Sequence, residues 1–319
     1  MIVDCQPPLA DFAADVRAGM RRRQKAIPPK YFYDAAGSAL FDAICQTPEY
    51  YVQRTELALL SAQGPALAGH IGAGAVVIEF GSGSAAKLNH LLRALPAPAA
   101  AVAIDISKTA LRQTVDGLAT TWPGLAVSGL CADFTAPLNP ELLPKAGGQR
   151  VAFFPGSTIG NMAPDEATAF LRQARALLRP GDGFVLGVDL LKDPAILNAA
   201  YNDAAGLTAQ FNRNLLHRIN RELDGDIDTD LFSHRAFFNT DRARVEMHLQ
   251  SLVDQRLRIA GETFAIRAGE SIHTENSYKY SQAGFARLAT AAGYRHRAAW
   301  QDPLALFSIH YLEPAYQRT

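Results

Sequence analysis

The sequence predicts an α/β protein built on a parallel, doubly wound sheet, with a smaller α+β unit inserted into it. Three observations carry this. Apolar, β-branched runs alternate with helix-period stretches between about residues 76 and 189. The first run, Val76-Val77-Ile78-Glu79-Phe80, breaks into Gly81-Ser82-Gly83 and then into helix formers, which is how a Rossmann-type nucleotide site opens. After Pro194 the pattern changes to a long helix followed by strand-like residues over 234–279.

Composition narrows the class. The chain has 319 residues, 48% hydrophobic and 19% charged, enough to bury a sizeable core. Its 31 basic and 31 acidic residues cancel, so there is no general pull toward nucleic acid or anionic membranes. No apolar run reaches the ~18 residues of a membrane span, and no signal-peptide pattern opens the chain. Cys5, Cys45 and Cys131 form no paired framework, and the histidines show no metal-ligand spacing. The expectation is a reduced, cytoplasmic enzyme without a structural metal.

The glycine turn is the chemical signal. Its glycines allow a tight bend and close backbone approach to a ligand, and the helix start offers free N–H groups. Gly81-x-Gly83-x-x-Ala86 also fits a relaxed dinucleotide fingerprint, with Asp105 24 residues past Gly81 as the ribose acid. Glu79 favours another ligand. A carboxylate two residues before the turn would repel a pyrophosphate, but suits the phosphate-free, cationic S-adenosylmethionine (SAM).

Residues 9–24 carry Phe12, Val16 and Met20 on one helical face, with Pro28-Pro29 as the stop. Arg21-Arg22-Arg23 reads as cations at a helix C-terminus. Tyr31, Phe32, Tyr33, Phe41, Tyr50 and Tyr51 cluster in a Gly/Pro-broken stretch, which is either core packing or the cover of a pocket. Residues 55–70 read as one helix. Strand two ends at Asp105, with Ser107 as the next helix cap. Strand three ends in Asp133-Phe134, an acceptor beside a flat ring that suits adenine. Strand four, Arg150–Phe154, runs into Pro155-Gly156-Ser157-Thr158-Ile159-Gly160-Asn161, a small polar loop at the sheet's ligand edge where Asn161 reads first as a helix N-cap. A helix over 165–178 and a fifth strand, Phe184–Asp189, follow.

In the inserted unit, Tyr201 to Leu223 reads as one helix with Leu207, Phe211, Leu215 and Ile219 in line. Val245, Met247 and Leu249 alternate with Glu246, His248 and Gln250, as in a half-exposed antiparallel strand. In Ser271–Tyr280, Glu275 and Ser277 share a strand face; Glu275 reads first as a surface residue, the alternative being a carboxylate and a hydroxyl that together bind a neutral or cationic ring N–H. A helix over 281–292 and two closing strands suit the antiparallel hairpin of a class I methyltransferase sheet.

KYFYDAAGSALFD, TPEYYVQRTE, EFGSGSAAK, PGSTIGN, YNDAAGLTAQFNRN, RVEMHL and TENSYKY, in this order, resemble the SAM-dependent histidine Nα-methyltransferases of ergothioneine biosynthesis over nearly the whole chain. The resemblance implies a monomeric two-domain enzyme converting histidine to its trimethyl betaine, hercynine. It implies a SAM-binding domain at 55–192 and 280–319 and a substrate-binding domain at 1–54 and 193–279. Tyr33, Gly81, Gly83, Lys87, Asp105, Asp133 and Phe134 would hold SAM, and Asn161 and Tyr201 the amino-acid carboxylate. Gly156 and Thr158 would shape the floor near the amine. Tyr50, Glu275 and Ser277 would read the imidazole, with Met247 packed beside it. Tyr33 is the candidate for receiving the amine's proton. Two positions depart from the family pattern: Asn276, between the two ring readers, and Pro155. The rival readings are Nα-methylation of another amino acid such as tryptophan, an NAD-linked oxidoreductase on the shared glycine pattern, and a SAM-binding regulatory protein without turnover.

Overall fold

The computed structural model describes residues 1–7, 11–82, 85–145 and 148–315. The chain divides into two compact units, one of Met1–Pro8, Val52–Leu190 and Tyr280–Thr319, the other of Leu9–Tyr51 and Leu191–Lys279.

The first unit holds an eight-stranded sheet. Its order is Ile2–Asp4, Ala126–Cys131, Ala100–Asp105, Val76–Phe80, Arg150–Phe154, Gly183–Asp189, Phe307–Pro314, Tyr294–Gln301. The first six run parallel, and the last two close the sheet as an antiparallel hairpin. Val76–Phe80, Arg150–Phe154 and Gly183–Asp189 are buried at every position, as expected of parallel strands covered on both faces. The switch in strand order lies between Val76–Phe80 and Arg150–Phe154, so the carboxyl ends of these strands form the crevice where open α/β sheets bind ligands.

Two boundaries differ from the sequence reading. Residues 1–8 belong to this first unit, because Ile2–Asp4 pairs alongside Gly129–Cys131; three residues carry too little periodicity to signal it. The stretch 55–70 is two helices, Val52–Ala62 and Gly64–Ile71, since Pro65 suits only a first helical turn.

The second unit is built on a four-stranded sheet ordered Lys25–Ala26, Ser271–Tyr278, Arg244–Ser251, Phe232–Asn239, with a separate hairpin of Gln255–Ile259 and Glu262–Ile266. Helix Leu207–Glu222 packs on this sheet and on helix Ala35–Ile44, burying Phe211, Leu215, Leu216 and Ile219.

Three local expectations are corrected here. The long helix starts at Leu207, not Tyr201. Gly206 is left-handed (φ 70°), and the Asp203 carboxylate accepts the Leu207 and Thr208 N–H groups at 2.8 Å each; Tyr201 instead ends the preceding helix Pro194–Ala200. The first helix is Phe12–Met20, ending well before Pro28-Pro29 because Lys25–Ala26 joins the sheet. Arg21 caps it and pairs with Glu262 at 2.6 Å on the surface. Strand Arg244–Ser251 is not half-exposed. It lies between two neighbours and is buried on both faces, because Arg244, Glu246 and His248 satisfy one another there.

Candidate active site

In the first unit, the strand ends assemble a ligand edge around the glycine turn. Gly81 adopts φ 73°, which an L side chain rarely tolerates, and its N–H donates to Ile104 O at 2.8 Å. The Phe134 ring lies beside it, 3.5 Å from where a Cβ would stand. Phe134 is itself braced by Phe80, Phe154 and Phe170. Gly83 lies outside the described residues.

The carboxylates at this edge are in different states. Asp133 Oδ1 accepts from the Thr135 N–H and hydroxyl at 2.8 and 2.6 Å, fixing its rotamer at the strand end. Asp105 Oδ1 accepts from Ser107 N at 2.8 Å; burial raises its carboxyl, and the N–H groups of Ser107 and Ile106 pull it back. Glu79 is 1% exposed, and its Oε2 has no hydrogen-bond partner among the described residues. Loss of hydration pushes Glu79 up to about 8, opposed by Lys87 and reinforced by Glu56 and Asp105.

Lys87 reaches Glu56 Oε2 at 2.8 Å, and Glu56 is 1% exposed. The same carboxylate accepts the Gly156 N–H with both oxygens, at 2.8 and 2.9 Å. Glu56 therefore ties the first helix of this unit to both Lys87 and the 155–161 loop. Sequence reasoning gave it no role, although it closes the TPEYYVQRTE motif; a lone glutamate on a helix reads as surface. The loop is strained. Gly156 has φ 80° and Ser157, although not glycine and 4% exposed, has φ 55°. Ser157 is held by accepting the Asp189 N–H at 2.9 Å. Thr158 donates to Pro155 O at 2.8 Å. Asn161 ends the short 3-10 turn Thr158–Asn161 and is not the N-cap, which is Ala163. Its side chain is thus not committed to capping the next helix.

In the second unit, a β-bulge decides which residues share a face. His273 pairs with His248, but the next paired residue is Glu275, opposite Met247. Thr274 is the extra residue, and it donates to Met247 O and to Asn212 Oδ1 at 3.0 and 2.8 Å. Directly paired residues point to one side of an antiparallel sheet. The bulge therefore puts Glu275 and Ser277 with Met247, Val245 and Ile272, and sends Asn276 to the other side with Glu246 and His248. The departure at Asn276 is not on the face that carries Glu275.

On the Glu275 side, Lys279 Nζ donates to Ser277 Oγ at 2.7 Å and to Tyr201 Oη at 3.2 Å. Lys279 is 3% exposed. Tyr50 stands edge-on to Tyr201 and to Phe41, with centroids 6.3 and 6.0 Å apart, and Tyr33 meets Phe41 and Phe211 at 5.8 Å. These contacts join Tyr33, Phe41, Tyr50, Tyr201 and Phe211 into one aromatic cluster. Loss of hydration raises Glu275 to about 7, against the pull of Lys279. The Tyr33 phenol is held well above its usual range, first by loss of hydration and then by the charge of Glu275 and by Tyr201; its ring remains 47% exposed. Tyr50 is raised mainly by burial. Lys279 is the second residue that sequence reasoning passed over, although it sits inside TENSYKY.

On the far face, Glu246, His248 and His273 place ligand-type atoms within 4.8 Å of one another. Arg244 pairs with Glu246 at 2.7 Å, and the two imidazoles stack at 4.6 Å. The group reads as a hydrogen-bonded network holding the bulged strand.

The first unit fits SAM on its own geometry: a glycine turn against an aromatic ring, two strand-end acids, and a buried carboxylate, Glu79, with one oxygen unpartnered among the described residues. Comparison with known proteins agrees. The family described as histidine-specific methyltransferase, SAM-dependent, matches residues 12–314. The histidine N-alpha-methyltransferase of Mycolicibacterium smegmatis is 39% identical over 300 residues, covering 92% of both chains. Ergothioneine biosynthesis protein 1 of Neurospora crassa is 30% identical over 297 residues, 86% of this chain and 32% of that protein. Among solved structures, a SAM-dependent methyltransferase from Clostridium acetobutylicum superposes with a TM-score of 0.51 at 9% identity, over 88% of this chain and all of the other, a likeness of fold. The chain belongs to the histidine-specific, SAM-dependent methyltransferases.

Proposed function

We propose that this enzyme methylates the α-amine of L-histidine, in three successive transfers that give hercynine, the first step of ergothioneine biosynthesis. The observation that carries the choice of histidine is the bulged strand. It sets a carboxylate, Glu275, and a hydroxyl, Ser277, on one face at the spacing of alternate strand residues. An imidazole has one N–H to give and one nitrogen lone pair to fill. Ser277 already accepts from Lys279, so its own O–H is the part left to donate. Glu275 takes the ring N–H and Ser277 fills the lone pair. Met247 packs the ring, and Tyr50 closes it from the aromatic side. A ring lacking either function leaves a buried polar group unpaired, which costs about 1–3 kcal/mol.

In this reading Tyr33, Gly81, Gly83, Lys87, Asp105, Asp133 and Phe134 hold SAM, Asn161 and Tyr201 hold the amino-acid carboxylate, and Gly156 shapes the floor near the amine. SAM supplies an already activated methyl on its sulfonium, so positioning is the enzyme's main contribution. The amine must present a lone pair, and so must be unprotonated. Because the Tyr33 phenol is held above its usual range, it stays protonated at neutral pH. Its oxygen orients an amine N–H, and the proton itself leaves to water. The first and second products each shed one proton; the third, a quaternary ammonium, has none to lose.

A methyl-transfer assay across the twenty amino acids tests this. Histidine should dominate, with an aromatic amino acid such as tryptophan far behind. Preferred turnover of another amino acid would replace histidine in this reading. SAM binding without transfer to any of them would favour a regulatory protein.

A further inference from the structure

We propose that Lys279 is a positioning and specificity-determining residue of the amino-acid site: its Nζ fixes the Ser277 hydroxyl as a donor toward the substrate ring and sets a positive charge beside Glu275, so that the site selects a neutral nitrogen ring. This rests on the histidine reading above and goes beyond it, since the family resemblance gives Lys279 no role.

The geometry carries the argument. Lys279 is 3% exposed just past the end of its strand, and burying an ammonium is costly unless it is paired and hydrogen-bonded. It donates at 2.7 Å to Ser277 Oγ and at 3.2 Å to Tyr201 Oη, and its Nζ lies 5.1 Å from the Tyr201 ring centre. Its backbone N–H is anchored on Ala243 O at 2.8 Å, which fixes where the side chain starts. An ammonium only donates, so both hydroxyls it touches are forced to accept from it and turn their own protons elsewhere. Two of the residues read as substrate-binding, Ser277 and Tyr201, are thus set in rotor and polarity by one lysine.

Its charge also acts on Glu275, lowering a carboxyl that loss of hydration raises. Among the described residues Tyr33 and Tyr50 also sense the charge of Glu275, with Tyr201 and Cys45 beside these tyrosines. His234 pairs with Leu249 and so takes the same face of the sheet; burial keeps it neutral. On one neighbouring strand that face carries Val245, Met247, Leu249 and Ser251, and on the other Lys25, paired with Ile272, takes the same face and reaches Glu270 at 3.7 Å. Among the described groups Lys279 is the cation whose charge lowers Glu275. A balanced pair prefers a neutral imidazole; without the lysine, Glu275 would be protonated at neutral pH or would favour a charged ring.

The test is steady-state kinetics of Lys279→Met and Lys279→Gln against wild type from about pH 6 to pH 10, with SAM affinity measured by calorimetry. The expected result at neutral pH is a histidine KM raised about tenfold, with kcat within about twofold and SAM affinity unchanged. The acid limb of kcat/KM moves up by about one pH unit, because removing the cation raises Glu275. Histidine's own titrations are common to all the enzymes and cancel in the comparison. In a Glu275→Gln background the same lysine substitution moves no limb, while the share of the KM cost that passes through Ser277 remains. Should the methionine variant not fold, the glutamine variant, which keeps a donor without charge, carries the same pH prediction. A folded variant whose KM and acid limb match wild type overturns the role of Lys279, and a limb shift that persists in the Glu275→Gln background overturns its action on Glu275. Wild-type enzyme that does not turn over histidine overturns the histidine reading instead.

Discussion

The two units build their sites by opposite means. In the first, the ligand edge is made of strand ends: a glycine at φ 73°, Asp105 and Asp133 tied to backbone N–H groups, and a strained loop pinned by Glu56. In the second, the proposed amino-acid site is a sheet face selected by a bulge, where Lys279 donates to Ser277. Backbone conformation governs one, side-chain polarity the other. The buried carboxylates show it. Glu79 reaches about 8 despite Lys87, with Glu56 and Asp105 pushing it up and no partner on one oxygen among the described residues, whereas Glu275 reaches about 7 against Lys279 alone.

The sharpest way to break this contrast is to change one side at a time. Gly81→Val forces a β-branched residue to φ 73° against the Phe134 ring. SAM affinity should fall by about 100-fold or more in a binding titration, while histidine-site properties that do not depend on SAM stay intact. Glu275→Ala should raise histidine KM by about 50-fold with SAM affinity unchanged, the converse separation. If either substitution damaged both ligands equally, the division of labour would be wrong.

A pH-dependent effect reads the electrostatics directly. Glu79 has a folded-state value near 8 against an ordinary 4.5, so between these the folded state binds more protons than the unfolded. Stability from this group is therefore full below about pH 4.5 and is lost as pH rises toward 8. Glu79→Gln should remove that slope, making the ligand-free enzyme more stable than wild type at pH 8 by up to about 4 kcal/mol in denaturant unfolding, while weakening SAM binding. The smallest effect should come from Asn276→Val. Asn276 pairs with Glu246 on the far face, and its Oδ1 is buried without a partner among the described residues. Histidine KM should stay within about twofold, with stability unchanged or slightly higher.

What could be read from the chain follows the same division. The parallel sheet, the glycine turn and the strand-end acids were legible because backbone demands leave local marks: buried parallel strands are continuously apolar, and a positive φ asks for glycine. Glu275 and Ser277 were placed together by simple alternation, which is right between those two residues. Alternation alone would also have put His273 beside them, and the unmarked bulge at Thr274 is what removes it. Lys279 and Glu56 left little local trace, because beyond the neighbouring Ser277 their partners lie elsewhere in the chain: Lys279 with Tyr201, Glu56 with Lys87 and Gly156. The start of the helix at Leu207 depended on the Asp203 cap, which a Leu/Phe period running through it concealed.

The most direct measurement is to supply SAM carrying an isotopically labelled methyl group together with histidine, and to locate the label in the product by NMR. If Glu275 and Ser277 occupy the two ring nitrogens, every label should sit on the α-nitrogen, accumulating to the trimethyl product. Label on an imidazole nitrogen would mean that the bulged strand does not hold the ring, and would contradict the account.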